Sequence, residues 1–124
     1  MAQDTKNFKV SEFACKHCGE NKIDQKVLNM AQELRDYLGV AVRVNSGYRC
    51  EVHNKNIGGV KNSKHVLGKA CDLACELGSA KMFQAVKELR EQGKLQDLDY
   101  CIKYKTFIHI DCGGKRKSLY EVRG

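Results

Sequence analysis

A chain of 124 residues has room for one domain, residues 1–124, and at that length folding buries about two-thirds of the unfolded surface around a single core. An apolar content of 42% beside 30% charged residues is that of an ordinary globular protein and excludes a disordered chain or a fibrous repeat. The excess of 22 Lys and Arg over 15 Asp and Glu, a net +7, favours polyanionic partners such as nucleic acid, anionic lipid or anionic cell-wall polymer without choosing among them.

In chain order, Met1 to Phe8 lacks the apolar run of a signal peptide, and no later stretch reaches the length of a membrane span, so the expectation is synthesis in the cytoplasm without membrane insertion. Phe8, Val10 and Phe13 then precede a compact Cys15-Lys-His-Cys18-Gly19 turn, which reads as a docked N-terminal loop. Asp24 can cap a helix in which Val27, Leu28, Ala31, Leu34 and Leu38 recur at helical spacing until Gly39 stops it. Val40, Val42 and Val44 alternate with Ala41 and Arg43 as a strand does, ending at Asn45-Ser-Gly47.

From Tyr48 to Lys64 the chain turns polar, punctuated by Gly58-Gly59 and Asn62-Ser63, with a short helix predicted near Glu51 to Ile57. A connection this long in so small a domain does little for a core, and the functional site is expected along it. Ala70 to Glu76 reads as a strand with Ala70, Asp72 and Ala74 on one face and Cys71, Leu73 and Cys75 on the other. Ser79 is the expected cap of the next helix, with Met82, Phe83, Val86 and Leu89 inward and its end before Gly93. Leu98, Tyr100 and Ile102 alternate, as do Ile108 and Ile110, which predicts a hairpin turned near Lys103 to Thr106. The class is α+β: a small antiparallel sheet with helices packed on one side.

Four histidines are present, and two stand where ligands would. His65 ends the polar loop six residues before Asp72, whose neighbours on the same strand face are the small Ala70 and Ala74. His109 and Asp111 share one face of the last strand of the hairpin. If that strand pairs beside the one carrying Asp72, two imidazoles and a carboxylate converge and leave a fourth position open, the ligand pattern of a catalytic zinc rather than a closed structural one.

The run Ser63-Lys-His65-Val-Leu-Gly68-Lys-Ala70-Cys-Asp72 resembles the Ser-x-His-x-x-Gly-x-Ala-x-Asp signature of the zinc D-alanyl-D-alanine carboxypeptidase family, whose wider superfamily includes lysostaphin-type endopeptidases and the hedgehog domain. Ser46-Gly-Tyr-Arg49, with His53-Asn54 and Gly58-Gly59 after it, is similar to the family's Ser-Gly-Tyr-Arg loop, and Phe107-Ile-His109-Ile-Asp111 to its closing strand. The resemblance spans about Phe8 to Cys112 in family order and implies a hedgehog/D-Ala-D-Ala-peptidase-like fold. It further implies His65, Asp72 and His109 as zinc ligands, Arg49 as the group that binds substrate and its developing oxyanion, and Ser63 as a substrate contact. The implied activity is hydrolysis of peptide bonds involving D-amino acids in bacterial peptidoglycan, as a carboxypeptidase or an endolysin-type endopeptidase. The action would be on the cell wall, after release of the phage-lysis kind, by a monomer.

Zinc chemistry and an arginine suit amide hydrolysis on their own account, since the ion acidifies water and the guanidinium holds a carboxylate or oxyanion through two parallel hydrogen bonds. One position departs from the resemblance. Members of the carboxypeptidase and dipeptidase branches often carry an Asp or Glu three residues before the last histidine ligand as general base, and here that position is Thr106. Asp111 is the nearest candidate for the role, with Asp97, Asp99 and Glu51 behind it; Asp111 could equally orient a ligand. A rival reading follows, a non-catalytic zinc-stabilised module that binds cell wall or protein. Nucleic acid is set aside: five Tyr and four Phe provide no base-stacking platform, and the only tight basic cluster is Lys115-Arg116-Lys117.

Seven cysteines, an odd number in a chain without a secretion signal, are read as reduced, buried or metal-bound. Cys15 and Cys18 form a lone Cys-x-x-Cys that could hold a second zinc, with Cys50 a conceivable third ligand and His17 or His53 a fourth. Cys71 and Cys75 are expected to pack as small hydrophobes.

Overall fold

The computed structural model describes residues 2–59, 63–114 and 118–124. The Lys115-Arg116-Lys117 cluster and Asn62 lie outside the described residues. The architecture is α+β, a five-stranded sheet in the order β1-β2-β4-β3-β5 with two helices packed on one face. The strands are β1 Val42–Ser46, β2 Ala70–Cys75, β3 Tyr100–Lys103, β4 Ile108–Asp111 and β5 Tyr120–Val122. The helices are α1 Gln25–Leu38, α2 Glu51–Asn56 and α3 Ser79–Glu91, preceded by a single 3-10 turn at Val10–Phe13.

Helix α1 begins and ends where its sequence dictates. Asp24 Oδ1 accepts the Lys26 N–H at 2.9 Å, and Gly39 closes the helix in the left-handed conformation at φ 71°. Val27, Leu28, Met30, Ala31 and Leu34 are its buried face. That face and the Met82, Phe83, Ala85, Val86 and Leu89 face of α3 cover Cys71, Leu73, Cys101, Ile108 and Ile110 on the near side of the sheet. Phe8 and Phe13, with rings 5.9 Å apart, dock the N-terminal segment on the same core.

One expectation is corrected. Ser79 does not cap α3; Gly78, at φ 88°, occupies the cap without a side-chain bond, and Ser79 is the first helical residue, its Oγ donating to the Lys105 carbonyl at 3.0 Å. A backbone at that φ admits glycine and resists serine. The sheet is antiparallel over β1, β2, β4 and β3, and β5 adds to β3 in parallel. With only three residues, β5 offers too short a run for alternation to be recognised.

The far face of the sheet is the face that matters for chemistry. Antiparallel register sets Asp72 opposite His109 across β2 and β4, and Ile102 opposite His109 across β3 and β4. Between Val44 and Ser46 the β1 register slips, so that Ser46 rather than Asn45 stands opposite Asp72. The bulge turns the Ser46 hydroxyl toward the loop that follows it.

Candidate metal centre

Each side chain of the centre is held by the backbone beneath it. Asp72 and His109 are cross-strand neighbours at the middle of the sheet. His65 reaches them from a tight turn over residues 63–68, closed by Val66 N–H to Ser63 O at 3.1 Å and Gly68 N–H to His65 O at 3.1 Å. Ser63 Oγ accepts the His65 N–H at 3.2 Å inside that turn. Gly68 is obligatory there, because at φ +72° an added Cβ would lie 1.9 Å from the Lys22 carbonyl oxygen. Gly47 likewise lets the chain leaving β1 pass the 3-10 turn, where a Cβ would meet Phe13 O at 2.5 Å.

The ligand atoms of His65, Asp72 and His109 lie within 4.8 Å of one another. His65 Nε2 stands 3.2 Å and His109 Nδ1 3.0 Å from Asp72 Oδ1. The other nitrogen of each ring is engaged outward: His65 Nδ1 donates to the Gly47 carbonyl at 2.8 Å, and His109 Nε2 donates to Asp111 Oδ2 at 2.9 Å. A carbonyl oxygen only accepts, so the His65 proton sits on Nδ1 and its Nε2 lone pair points at Asp72. With His109 protonated toward Asp111, a second lone pair points at the same oxygen. Such a meeting of lone pairs and a carboxylate repels itself unless a cation lies between them. Outward bonds from ligand imidazoles to a carbonyl and a carboxylate are the supports metal-bound histidines use, so these residues fit a zinc ion.

Asp111 is fully buried, and its Oδ1 has no hydrogen-bond partner among the described residues. A carboxylate so placed needs positive charge nearby, which a metal on the far side of His109 would provide. For Asp72, burial would raise the pKa, but the imidazoles of His109 and His65 beside it outweigh burial and hold the carboxyl well below the usual range. For His109, burial would lower the pKa, and the carboxylates of Asp111 and Asp72 prevail and raise it.

Arg49 spans the rim. Its Nε donates to Ser46 Oγ at 3.0 Å, one terminal nitrogen to Asn54 Oδ1 at 3.1 Å, and the other to Asp72 Oδ2 at 3.3 Å. Asp72 therefore offers one oxygen to the histidines and the other to the guanidinium. The centre opens into a cleft of about 630 Å³ walled by Arg49, Ser63, Lys64, Tyr100, Phe107 and Arg123, among others. Tyr100, Tyr104, Phe107 and Arg123 went unnoticed as site residues in the sequence. Parity along β3 could have found Tyr100, whereas Arg123 is brought by β5, which left no signal. Thr106 is exposed in the β3–β4 turn, and Asp72 is the only carboxylate among the described lining residues.

A second group of soft donors lies outside this cleft. The sulfurs of Cys15, Cys18 and Cys50 also fall within 4.8 Å of one another. The other cysteines are of a different kind: Cys71, Cys75 and Cys101 are buried, and burial pushes the Cys71 and Cys101 thiols up and that of Cys112 up to about 11.

Two imidazoles and one carboxylate converging beside an open cleft, on the far face of an α+β sheet, make a candidate metal centre. The sequence matches the peptidase M15 family over residues 6–111, and the chain belongs to that family of zinc metallopeptidases. No curated protein matches the chain. No helix among the described residues is long and apolar enough to cross a membrane.

Proposed function

We propose that this chain is a zinc peptidase that hydrolyses a peptide bond involving a D-amino acid in bacterial peptidoglycan, close to a free carboxylate of the substrate. The observation that carries the reading is the convergence of His65 Nε2 and His109 Nδ1 on Asp72 Oδ1 at the foot of a cleft rimmed by Arg49, Lys64 and Arg123. A zinc ion held there supplies Lewis acidity and a water acidified to a pKa of about 7.

The chain's own residues supply the rest. Three cations around one cleft suit an anionic peptide end, and Arg49, always charged and forked, suits either a carboxylate or an oxyanion developing on the attacked carbonyl. Its bonds to Ser46, Asn54 and Asp72 hold it before substrate arrives, which is the preorganisation electrostatic catalysis needs. Ser63, on the turn that carries His65, stands as a substrate contact at the wall. Asp111 faces the outer nitrogen of His109 rather than the cleft, so we assign it the orientation of that ligand in preference to proton abstraction. Tyr104 and Phe107, stacked at 4.6 Å, offer an apolar ledge for a substrate side chain.

Digestion of purified peptidoglycan by zinc-loaded protein, with mass spectrometry of the fragments, tests the proposal. The expected result is release of D-amino-acid-containing fragments that chelation abolishes. The other reading, a non-catalytic wall-binding module, is favoured by Thr106 and by the lack of a second carboxylate among the described lining residues. Retention on peptidoglycan with zinc bound and no cleavage would decide for it.

A further inference from the structure

We infer that Cys15, Cys18 and Cys50, with the imidazole of His17, form a second and closed zinc site that fastens the loop carrying Arg49 to the N-terminal segment. It is independent of whether the sheet centre is catalytic.

The three thiols come from two segments far apart in sequence, Cys15 and Cys50 being 35 residues apart. Backbone bonds bring them together: Tyr48 N–H donates to Phe13 O at 2.7 Å, and Cys50 N–H donates to Cys15 Sγ at 3.4 Å. His53 N–H donates in turn to Cys50 Sγ at 3.4 Å. Cys15 and Cys18 face the same point because their turn is closed by Gly19 N–H to Cys15 O at 2.9 Å and Cys15 N–H to Glu20 O at 2.7 Å. N–H groups aimed at sulfur are the setting of a thiolate rather than of a thiol packed as a hydrophobe.

The three sulfurs have the spacing of ligands on one ion, and His17 stands beside one of them. Tetrahedral zinc with Zn–S of about 2.3 Å and Zn–N of about 2.0–2.1 Å sets its sulfurs about 3.8 Å apart and a sulfur and nitrogen about 3.5 Å apart. His17 Nδ1 lies 3.5 Å from Cys50 Sγ, and the three sulfurs are within 4.8 Å of one another. The His53 ring lies parallel to that of His17, with centroids 5.9 Å apart. A disulfide could use only two of the three thiols, whereas a metal uses them all.

What the ion would do follows from burial. Lys16 to Lys22 are all exposed and have no apolar core of their own to fix the knuckle. Cys50 immediately follows Arg49, whose N–H is bound on the other side to His65 O at 3.2 Å. A metal on Cys50 would therefore clamp the Arg49 backbone between the knuckle and the ligand turn. None of the four residues is among those lining the cleft, so this ion has no open position toward substrate and is structural.

The test is elemental analysis and zinc-edge X-ray absorption on the full chain. Unmodified protein should carry two zinc ions. A His65→Ala, His109→Ala double variant should keep one, surrounded by three sulfurs and one nitrogen. Cobalt loaded into unmodified protein should show thiolate-to-metal charge-transfer absorption, a readout that does not require any variant to fold. Cys15→Ser with Cys18→Ser should abolish that absorption and leave the sheet-borne ion. His17→Ala should remove the nitrogen from the sulfur-bound shell. No sulfur around any bound metal in unmodified protein, with Cys50 reacting equally fast with a thiol reagent in the presence and absence of zinc, would overturn the site. Loss of the nitrogen with His53→Ala in place of His17→Ala would overturn the assignment of His17.

Discussion

The two candidate ligand clusters of this molecule rest on opposite kinds of scaffold. His65, Asp72 and His109 are tied to the centre of a sheet, where cross-strand register places two of the three and buried core lies directly beneath them. Cys18 and Cys50 sit on exposed or half-buried chain beside the buried Cys15, and no residue between Cys15 and Ile23 is buried. A sheet can hold three ligands in place before the ion arrives and still leave one side open, which suits turnover. A loop needs the ion to hold it, which uses every coordination position. Preorganised and metal-organised sites should therefore respond differently to the loss of a ligand.

The sharpest way to break the comparison is to remove a sheet ligand. His65→Ala should eliminate zinc from the sheet centre and reduce peptidoglycan hydrolysis to background, while the fold and the thiol-bound ion persist. Zinc counting by elemental analysis beside a turnover assay checks this, and full zinc at the centre in the variant would contradict the ligand assignment. Arg49→Lys comes next. Turnover should fall by about 10²–10³, the scale of losing one preorganised oxyanion donor, with zinc content and melting temperature unchanged. An unaltered rate on a defined wall peptide would remove Arg49 from the machinery.

Asp111→Asn tests orientation against proton abstraction. An orienting role predicts zinc affinity at the sheet centre weakened by about 10–100-fold, recoverable in activity by excess zinc. A general base predicts the reverse pattern, full zinc occupancy with turnover lowered by about 10²-fold or more that added zinc does not restore.

Acid should then separate apo from metal-bound protein in opposite directions. His109 has its pKa raised in the fold, so in metal-free protein its protonated form stabilises the structure below the unfolded value of about 6.5, and that contribution is lost as pH rises through the raised value. Zinc requires the neutral ring, so affinity at the sheet centre should drop about tenfold per unit once pH lies below the His109 pKa. Chelator competition across a pH series measures this, and a flat profile between pH 7 and pH 5 would count against His109 as a ligand. The smallest effect is expected from Ser46→Ala, which removes the bond to Arg49 Nε at 3.0 Å. A loss of about 1 kcal/mol of positioning, near fivefold in turnover, would show the bulge in β1 to be functional.

Sequence periodicity was enough to define α1 with both of its ends, the strand carrying Asp72 with its two faces, and the β3–β4 hairpin, because caps, alternation and turn residues are local and speak for themselves. The Ser63–Asp72 run and the Phe107–Asp111 strand were likewise readable as the segments that carry the candidate ligands His65, Asp72 and His109. Pairing was not. That β2 lies against β4 with Asp72 facing His109, and that a bulge sets Ser46 beneath Arg49, are consequences of register between segments tens of residues apart, which no local pattern encodes. Strand β5 and the arginine it brings to the cleft were invisible for the same reason, three residues being too few for a period. Asp111 shows the division within one side chain. Strand parity put it beside His109, but only the packed sheet showed it fully buried against the outer nitrogen of that ring, since burial and hydrogen-bond direction are properties of neighbours rather than of sequence.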